Sequence, residues 1–141
     1  PSIPWHDNNR PCWDDAAAYH NVNPWLLYAI AKVESGYNPS VKSGKNKNGT
    51  VDIGLMQINS THLKTLKEYG IPESALYNAC ASTYIGAWVL ADGFRRYGNS
   101  WKAIAAYNVG SLNTEKRVRL GLIYAKKVYA AYNEQVSRYG G

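Results

Sequence analysis

The stretch Ala29–Asn38, AIAKVESGYN, places a single carboxylate, Glu34, where helical spacing asks for an apolar residue. Upstream, Asn23 can cap a helix and Pro24 can occupy its first position. Apolar Leu26, Leu27, Ile30, Ala31 and Val33 follow with helical periodicity. Leu27, Ala31 and Glu34 are four and three residues apart, so they share one face. Gly36 is suited to end the helix. Glu34 is therefore expected in the last turn, on or beside the buried stripe. Desolvation and the negative end of the helix dipole both disfavour a charged carboxyl there. A carboxylic acid held protonated near neutral pH can act as a general acid. Position alone also permits a plain structural acid that reaches water at a fraying helix end.

The 141 residues read as one domain, 1–141, with a proline-rich irregular arm over 1–11. No segment approaches the ~20 apolar residues of a membrane-spanning helix. The start, PSIPWHDNNR, shows no basic region followed by an apolar run, which points to a cytoplasmic protein or the mature form of an exported one. Cys12 and Cys80 are the only cysteines. Two buried thiols or one disulfide are open at this stage, with the disulfide, and an oxidising compartment, favoured. Metal binding is not expected. The cysteines have no CxxC spacing, and His6, His20 and His62 show no HExxH pattern. No cofactor is expected either.

The net charge of +6 suits an acidic polymer: nucleic acid, anionic lipid or bacterial wall. Twelve Tyr and five Trp against one Phe supply flat apolar faces with polar edges, which suit sugar rings and also single-stranded bases. The basic residues are scattered over loops and helix ends without a recognised motif, so nucleic acid is not an expected partner.

Along the chain, a first short helix is expected over Cys12–His20, with Trp13, Ala16, Ala17 and His20 inward. After the Glu34 helix, Asn38–Asn48 reads as a polar loop entering a small β-hairpin. Asn48–Gly49 is its turn and Thr50–Ile53 its second arm. Gly54–Asn59, GLMQIN, is too short and mixed to assign. Ser60 and Thr61 can cap a helix over His62–Tyr69. Glu73–Tyr97 is the longest periodic run, in one piece or two. Trp101–Tyr107 follows its cap Ser100, Leu112–Val118 reads as a loop, and Arg119–Tyr139 is a last helix. Leu122, Ala125, Val128, Tyr129, Tyr132 and Val136 should face inward from it. The class is mainly α, with one small hairpin.

Four pieces come in order: Glu34–Ser35 at a helix end, GLMQ at Gly54–Gln57, Ala106–Tyr107–Asn108, and Tyr124 in IYAKKV. Together they resemble the lysozyme-like lytic transglycosylase domain of the soluble lytic transglycosylase type, over roughly residues 25–132. Within that family the chain is most similar to the small peptidoglycan-lytic enzymes associated with secretion and pilus systems. The resemblance implies an α+β lysozyme-like fold with the hairpin beside a cleft, and a monomer in the periplasm. It implies cleavage of the β-1,4 bond between N-acetylmuramic acid and N-acetylglucosamine in peptidoglycan glycan strands. It also implies a secretion-system or pilus component as partner. By the same resemblance Glu34 is the catalytic acid and then base, and Ser35 orders the site. Gly54, Met56 and Gln57 belong to the floor of the sugar cleft, Tyr107 and Asn108 hydrogen-bond the sugar, and Tyr124 supports Glu34.

One residue departs from that family's pattern. Asp52 stands shortly before GLMQ, where a small or neutral residue is common. The run Asp52–Ser60, DIGLMQINS, instead resembles the strand and turn of animal-type lysozymes, in which an aspartate here is the second catalytic carboxylate; Asn59 lies on the same run. Paired carboxylates are usual in glycosidic chemistry, one protonated and one charged. The alternatives to transglycosylation are thus a hydrolytic muramidase using Glu34 and Asp52, and a non-catalytic peptidoglycan-binding module.

Overall fold

The computed structural model describes residues 3–5 and 8–140. Within the expected arm, Pro1, Ser2, His6 and Asp7 lie outside the described residues, as does Gly141. Six helices and one small sheet follow in order: α1 Trp13–His20, α2 Pro24–Ser35, β1 Asp52–Ile53, β2 Ile58–Asn59, α3 Leu63–Glu68, α4 Ala79–Tyr97, α5 Trp101–Val109 and α6 Glu115–Tyr139. Short 3-10 turns precede α3 and α4.

Local chemistry accounts for the helix ends. Asn23 Oδ1 accepts from the Trp25 amide at 2.9 Å, Pro24 fills the first position, and Gly36 closes α2 in the left-handed region. The long periodic run is indeed in two pieces. Asn78 ends the 3-10 turn Glu73–Tyr77 and caps α4 by accepting from Ala81 at 2.9 Å. Thr114 caps α6 by accepting from the Arg117 amide, so the helix begins at Glu115 and not at Arg119. The expectation of a loop over Leu112–Val118 fails there because Glu115–Arg117 is polar and exposed, and a cap needs no apolar stripe.

The core unites α1, α2, α4, α6 and the hairpin. Leu27, Ile30, Ile53, Leu55, Met56, Ile58, Leu76, Leu90, Ile104 and Val128 are fully buried. Helix α6 packs on α5 and α2, and α4 packs on α5 and α1. Trp13, Ala16 and Ala17 face inward as expected, whereas His20 is only half-buried. Ala125 and Val128 of α6 are buried as expected and Tyr124 joins them, whereas Tyr129, also expected inward, is 40% exposed. Cys12 and Cys80 are joined in a disulfide between the start of α1 and the first turn of α4.

The hairpin differs in its pairing. The anticipated arm is present: Lys42 bridges Ile53, and the Ser43 and Asn46 amides donate to the Asp52 and Thr50 carbonyls at 2.9 and 2.8 Å. The regular two-stranded sheet is nevertheless β1 with β2, antiparallel, with Asp52 opposite Asn59 and Ile53 opposite Ile58. GLMQ is the turn that joins them. Two-residue strands carry no readable period, which is why Ile58–Asn59 was not assignable.

Candidate active site

Glu34 occupies the last turn of α2, half-buried, on one wall of an open cleft of about 790 Å³. Its Oε2 accepts a hydrogen bond from the Tyr124 hydroxyl at 2.9 Å. Burial pushes the carboxyl up to about 7; the Tyr124 hydrogen bond opposes that rise, and the negative charge of Asp52 adds to it. Tyr124 comes from the buried face of α6, 90 residues along the chain, and its own hydroxyl is held well above its ordinary range by burial and by Glu34.

Ser35 does not line the cleft. Its hydroxyl donates to the Leu55 carbonyl at 2.7 Å and accepts from the Asn38 amide at 3.1 Å, so it fastens the end of α2 to the GLMQ turn. Gly54 makes that turn possible. Its φ is +78°, and an added Cβ would stand 2.0 Å from the Leu76 carbonyl oxygen. Met56 requires a correction: its side chain is fully buried against Gly86, beneath the cleft, and cannot touch a sugar. Only its backbone serves the site. Its amide donates to Ser82 Oγ at 3.2 Å, and its carbonyl accepts from the Tyr107 hydroxyl at 2.6 Å. Gln57 lines the cleft with φ +50°, and its amide nitrogen donates to the Gly54 carbonyl at 3.0 Å, bracing the turn.

Asp52 also lines the cleft. One oxygen accepts from Asn46 Nδ2 at 3.1 Å and the other from Asn59 Nδ2 at 3.0 Å. Both amides also donate to Thr50 Oγ1, which in turn donates to Asn48 Oδ1 at 2.7 Å. Two amide nitrogens thus hold the two carboxylate oxygens in place. Asn108 is exposed in the same cleft, beside Tyr107 at the end of α5.

The cleft thus brings Glu34, Asp52, Gln57, Asn59, Tyr107 and Asn108 together, while Ser35, Gly54, Met56 and Tyr124 support it from behind. Reading the sequence missed Asn46, Thr50 and the buried Ser82. Only the polarity of the hairpin hinted at the first two, and a serine on an otherwise apolar α4 face at the third. Trp88, edge-on to His62, and Arg96 also line the cleft unannounced. Among the described residues no group of three His, Cys, Asp or Glu side chains could hold a metal, and no helix is long and apolar enough to cross a membrane.

A half-buried acid held by a tyrosine, a second carboxyl gripped by two amides, and a sugar-sized cleft can together protonate a glycosidic oxygen and stabilise a cationic sugar. Comparison with known proteins points the same way. The family model of the transglycosylase SLT domain matches residues 11–130. Invasion protein IagB of Salmonella typhimurium is 44% identical over 124 residues, covering 87% of this chain and 76% of the relative. Protein IpgF of Shigella flexneri is 40% identical over 128 residues, covering 90% of this chain and 82% of the relative. An inactive glutamate-to-glutamine variant of the lytic transglycosylase Slt from Pseudomonas aeruginosa superposes with a TM-score of 0.68 at 19% identity. That likeness is one of fold; it covers 91% of this chain but only 24% of the larger one.

Proposed function

Because the chain belongs to the transglycosylase SLT domain family, and is a peptidoglycan-cleaving enzyme of the lytic transglycosylase class, we propose that it cuts glycan strands without water, leaving 1,6-anhydromuramyl ends. The observation that carries this reading is Glu34: half-buried on the cleft wall, held by Tyr124, with its carboxyl raised to about 7. Such a group is protonated for part of its time at neutral pH and can both give and take a proton.

In the first step Glu34 protonates the oxygen between N-acetylmuramic acid and N-acetylglucosamine, and the bond to the anomeric carbon breaks. An oxocarbenium-like sugar develops beside the carboxylate of Asp52, whose charge stabilises it. Glu34, now anionic, takes the proton of the muramyl 6-hydroxyl, which closes on the anomeric carbon. Tyr124 steadies the anionic stage by donating to Oε2. Gln57, Asn59, Tyr107 and Asn108 position the sugar, and Ser35 and Gly54 hold the wall behind it.

Asp52 favours a second reading, since its caged carboxylate shares the cleft. On that reading water replaces the 6-hydroxyl and the enzyme is a muramidase. Mass spectrometry of released muropeptides separates the two, because the anhydro product is lighter by one water. Exclusively hydrated products would overturn the transglycosylase reading. A Glu34→Gln variant that folds and still cleaves would remove Glu34 as the acid.

We further propose that the enzyme works in the periplasm for a secretion or pilus apparatus. The disulfide and the kinship to an invasion protein of Salmonella support this. Deleting the gene should impair assembly of that apparatus, and Glu34→Gln should fail to restore it. Normal assembly in the deletion strain would refute the link.

A further inference from the structure

Seven charged or titratable groups line the cleft: Glu34, Lys47, Asp52, His62, Asp92, Arg96 and Tyr107. Its aspartates already have partners. Asp52 is held by the amides of Asn46 and Asn59. Asp92 is shared between Arg95 and Arg96, with Arg96 Nε at 2.9 Å. Burial pushes His62 down, toward the neutral form. Lys47 has no anionic partner among the described residues, and Arg96 shares its one acid, Asp92, with Arg95.

Arg96 is also pre-organised. Its Nε is taken by Asp92 and its Nη2 donates to the Gly110 carbonyl at 3.0 Å, which braces the guanidinium from two sides and leaves Nη1 for a ligand. A braced fork is the geometry that meets carboxylates at low entropic cost. Both cations line the same cleft as Glu34 and Asp52. Lys47 follows Asn46, which touches Asp52, and Arg96 is bonded to Gly110, two residues past Asn108. The sugar rings of a glycan strand are neutral; its regularly spaced anions are the carboxylates of the peptide stems carried on muramic acid.

We propose that Lys47 and Arg96 are specificity residues that bind stem-peptide carboxylates, so that the enzyme selects strands whose stems are anionic. This rests on the cleavage reading above and goes beyond it to the choice of strand.

Two synthetic glycan substrates test it. Both carry the same peptide stems, one with free carboxylates and one with those carboxylates amidated. Sugars, length and lactyl linkage are then identical. For the wild type, kcat/KM should favour the free-acid substrate by roughly tenfold, the scale of a charge-assisted contact, through KM more than kcat. Added salt should shrink that preference. Lys47→Gln and Arg96→Gln should each reduce the ratio, and the double variant should bring it near one; Arg96→Lys should keep part of it. Lys47 lies on the exposed hairpin, so Lys47→Gln reads the effect even if Arg96→Gln loosens the wall at Gly110. A wild-type ratio of one, or a ratio untouched by Lys47→Gln, overturns the proposal while leaving cleavage intact. Failure of the wild type to cut either substrate overturns the cleavage reading itself.

Discussion

A carboxyl that the fold holds near 7 keeps a proton that the unfolded chain releases near 4.5. Glu34 therefore supports the fold fully below about 4.5, and that support is lost as pH rises through about 7. The shift corresponds to roughly 3 kcal/mol at alkaline pH. Glu34→Gln keeps the volume and removes the ionisation, so it should raise the unfolding temperature at pH 8 and hardly alter it at pH 4. A difference that does not change with pH would contradict this account. The same group sets the pH profile, since the general acid must be protonated: kcat/KM should fall as pH rises through about 7. Tyr124 and Asp52 act on that limb in opposite directions. Tyr124→Phe removes a donor to the anion and should move the limb to higher pH. Asp52→Asn removes a neighbouring negative charge and should move it lower. Both should also slow cleavage, Asp52→Asn without weakening substrate binding. Limbs that move together, or not at all, would mean that the two residues do not act through Glu34.

At the scale of elements, the β1–β2 turn is the part with the least tolerance. It is tied by Ser35 at Leu55, by Ser82 and Tyr107 at Met56, and by the Gln57 amide at Gly54. Gly54 sits against the Leu76 carbonyl with positive φ, so Gly54→Ala meets backbone that cannot yield. It should cost at least ~2 kcal/mol in denaturant unfolding, in line with strained positions of this kind. Gly86→Ala presses instead on the Met56 side chain, from Cβ at 3.0 Å to Cε at 2.8 Å, but without the positive φ of Gly54, and should cost less. Equal losses would mean that the turn is not the rigid partner. The helices were legible to within a few residues because capping and apolar spacing are local: Asn23 and Ser100 each accept from an amide two residues on, whereas the Asn78 and Thr114 caps, and Asn59 in place of the expected Ser60 and Thr61, emerge only in the structure. The pairing of β1 with β2 was not, since four residues hold too little pattern to choose a partner.

Over the whole molecule, the Cys12–Cys80 bond closes a loop of 68 residues that contains both Glu34 and Asp52. Confining so long a loop in the unfolded chain is worth about 4 kcal/mol on the chain-entropy account. Reduction, or Cys12→Ser with Cys80→Ser, should lower the unfolding temperature markedly. The folded α1–α4 contact should survive, because Trp13, Ala16 and Ala17 remain buried against the core. An unfolding temperature within a degree or two of the native one would show that packing alone holds α1 in place.

The sequence by itself determined the helical class, the caps at Asn23 and Ser100, the place of Glu34 in the last turn of α2, and, through four motifs in order, the family. These follow from short-range rules: a period, a cap and a motif each span only a few residues. The tertiary structure decided what meets what. Tyr124 reaches Glu34 across 90 residues, the Tyr107 hydroxyl finds the Met56 carbonyl across 51, and Asn46 and Asn59 converge on Asp52 from the two neighbours of β1. Packing turned the Met56 side chain beneath the cleft because Gly86 leaves room there, and it drew Arg96 to Gly110 at the cleft wall. No local pattern specifies such partners, because a hydrogen bond between distant segments depends on how separate helices and strands pack, and that geometry exists only once the core has closed.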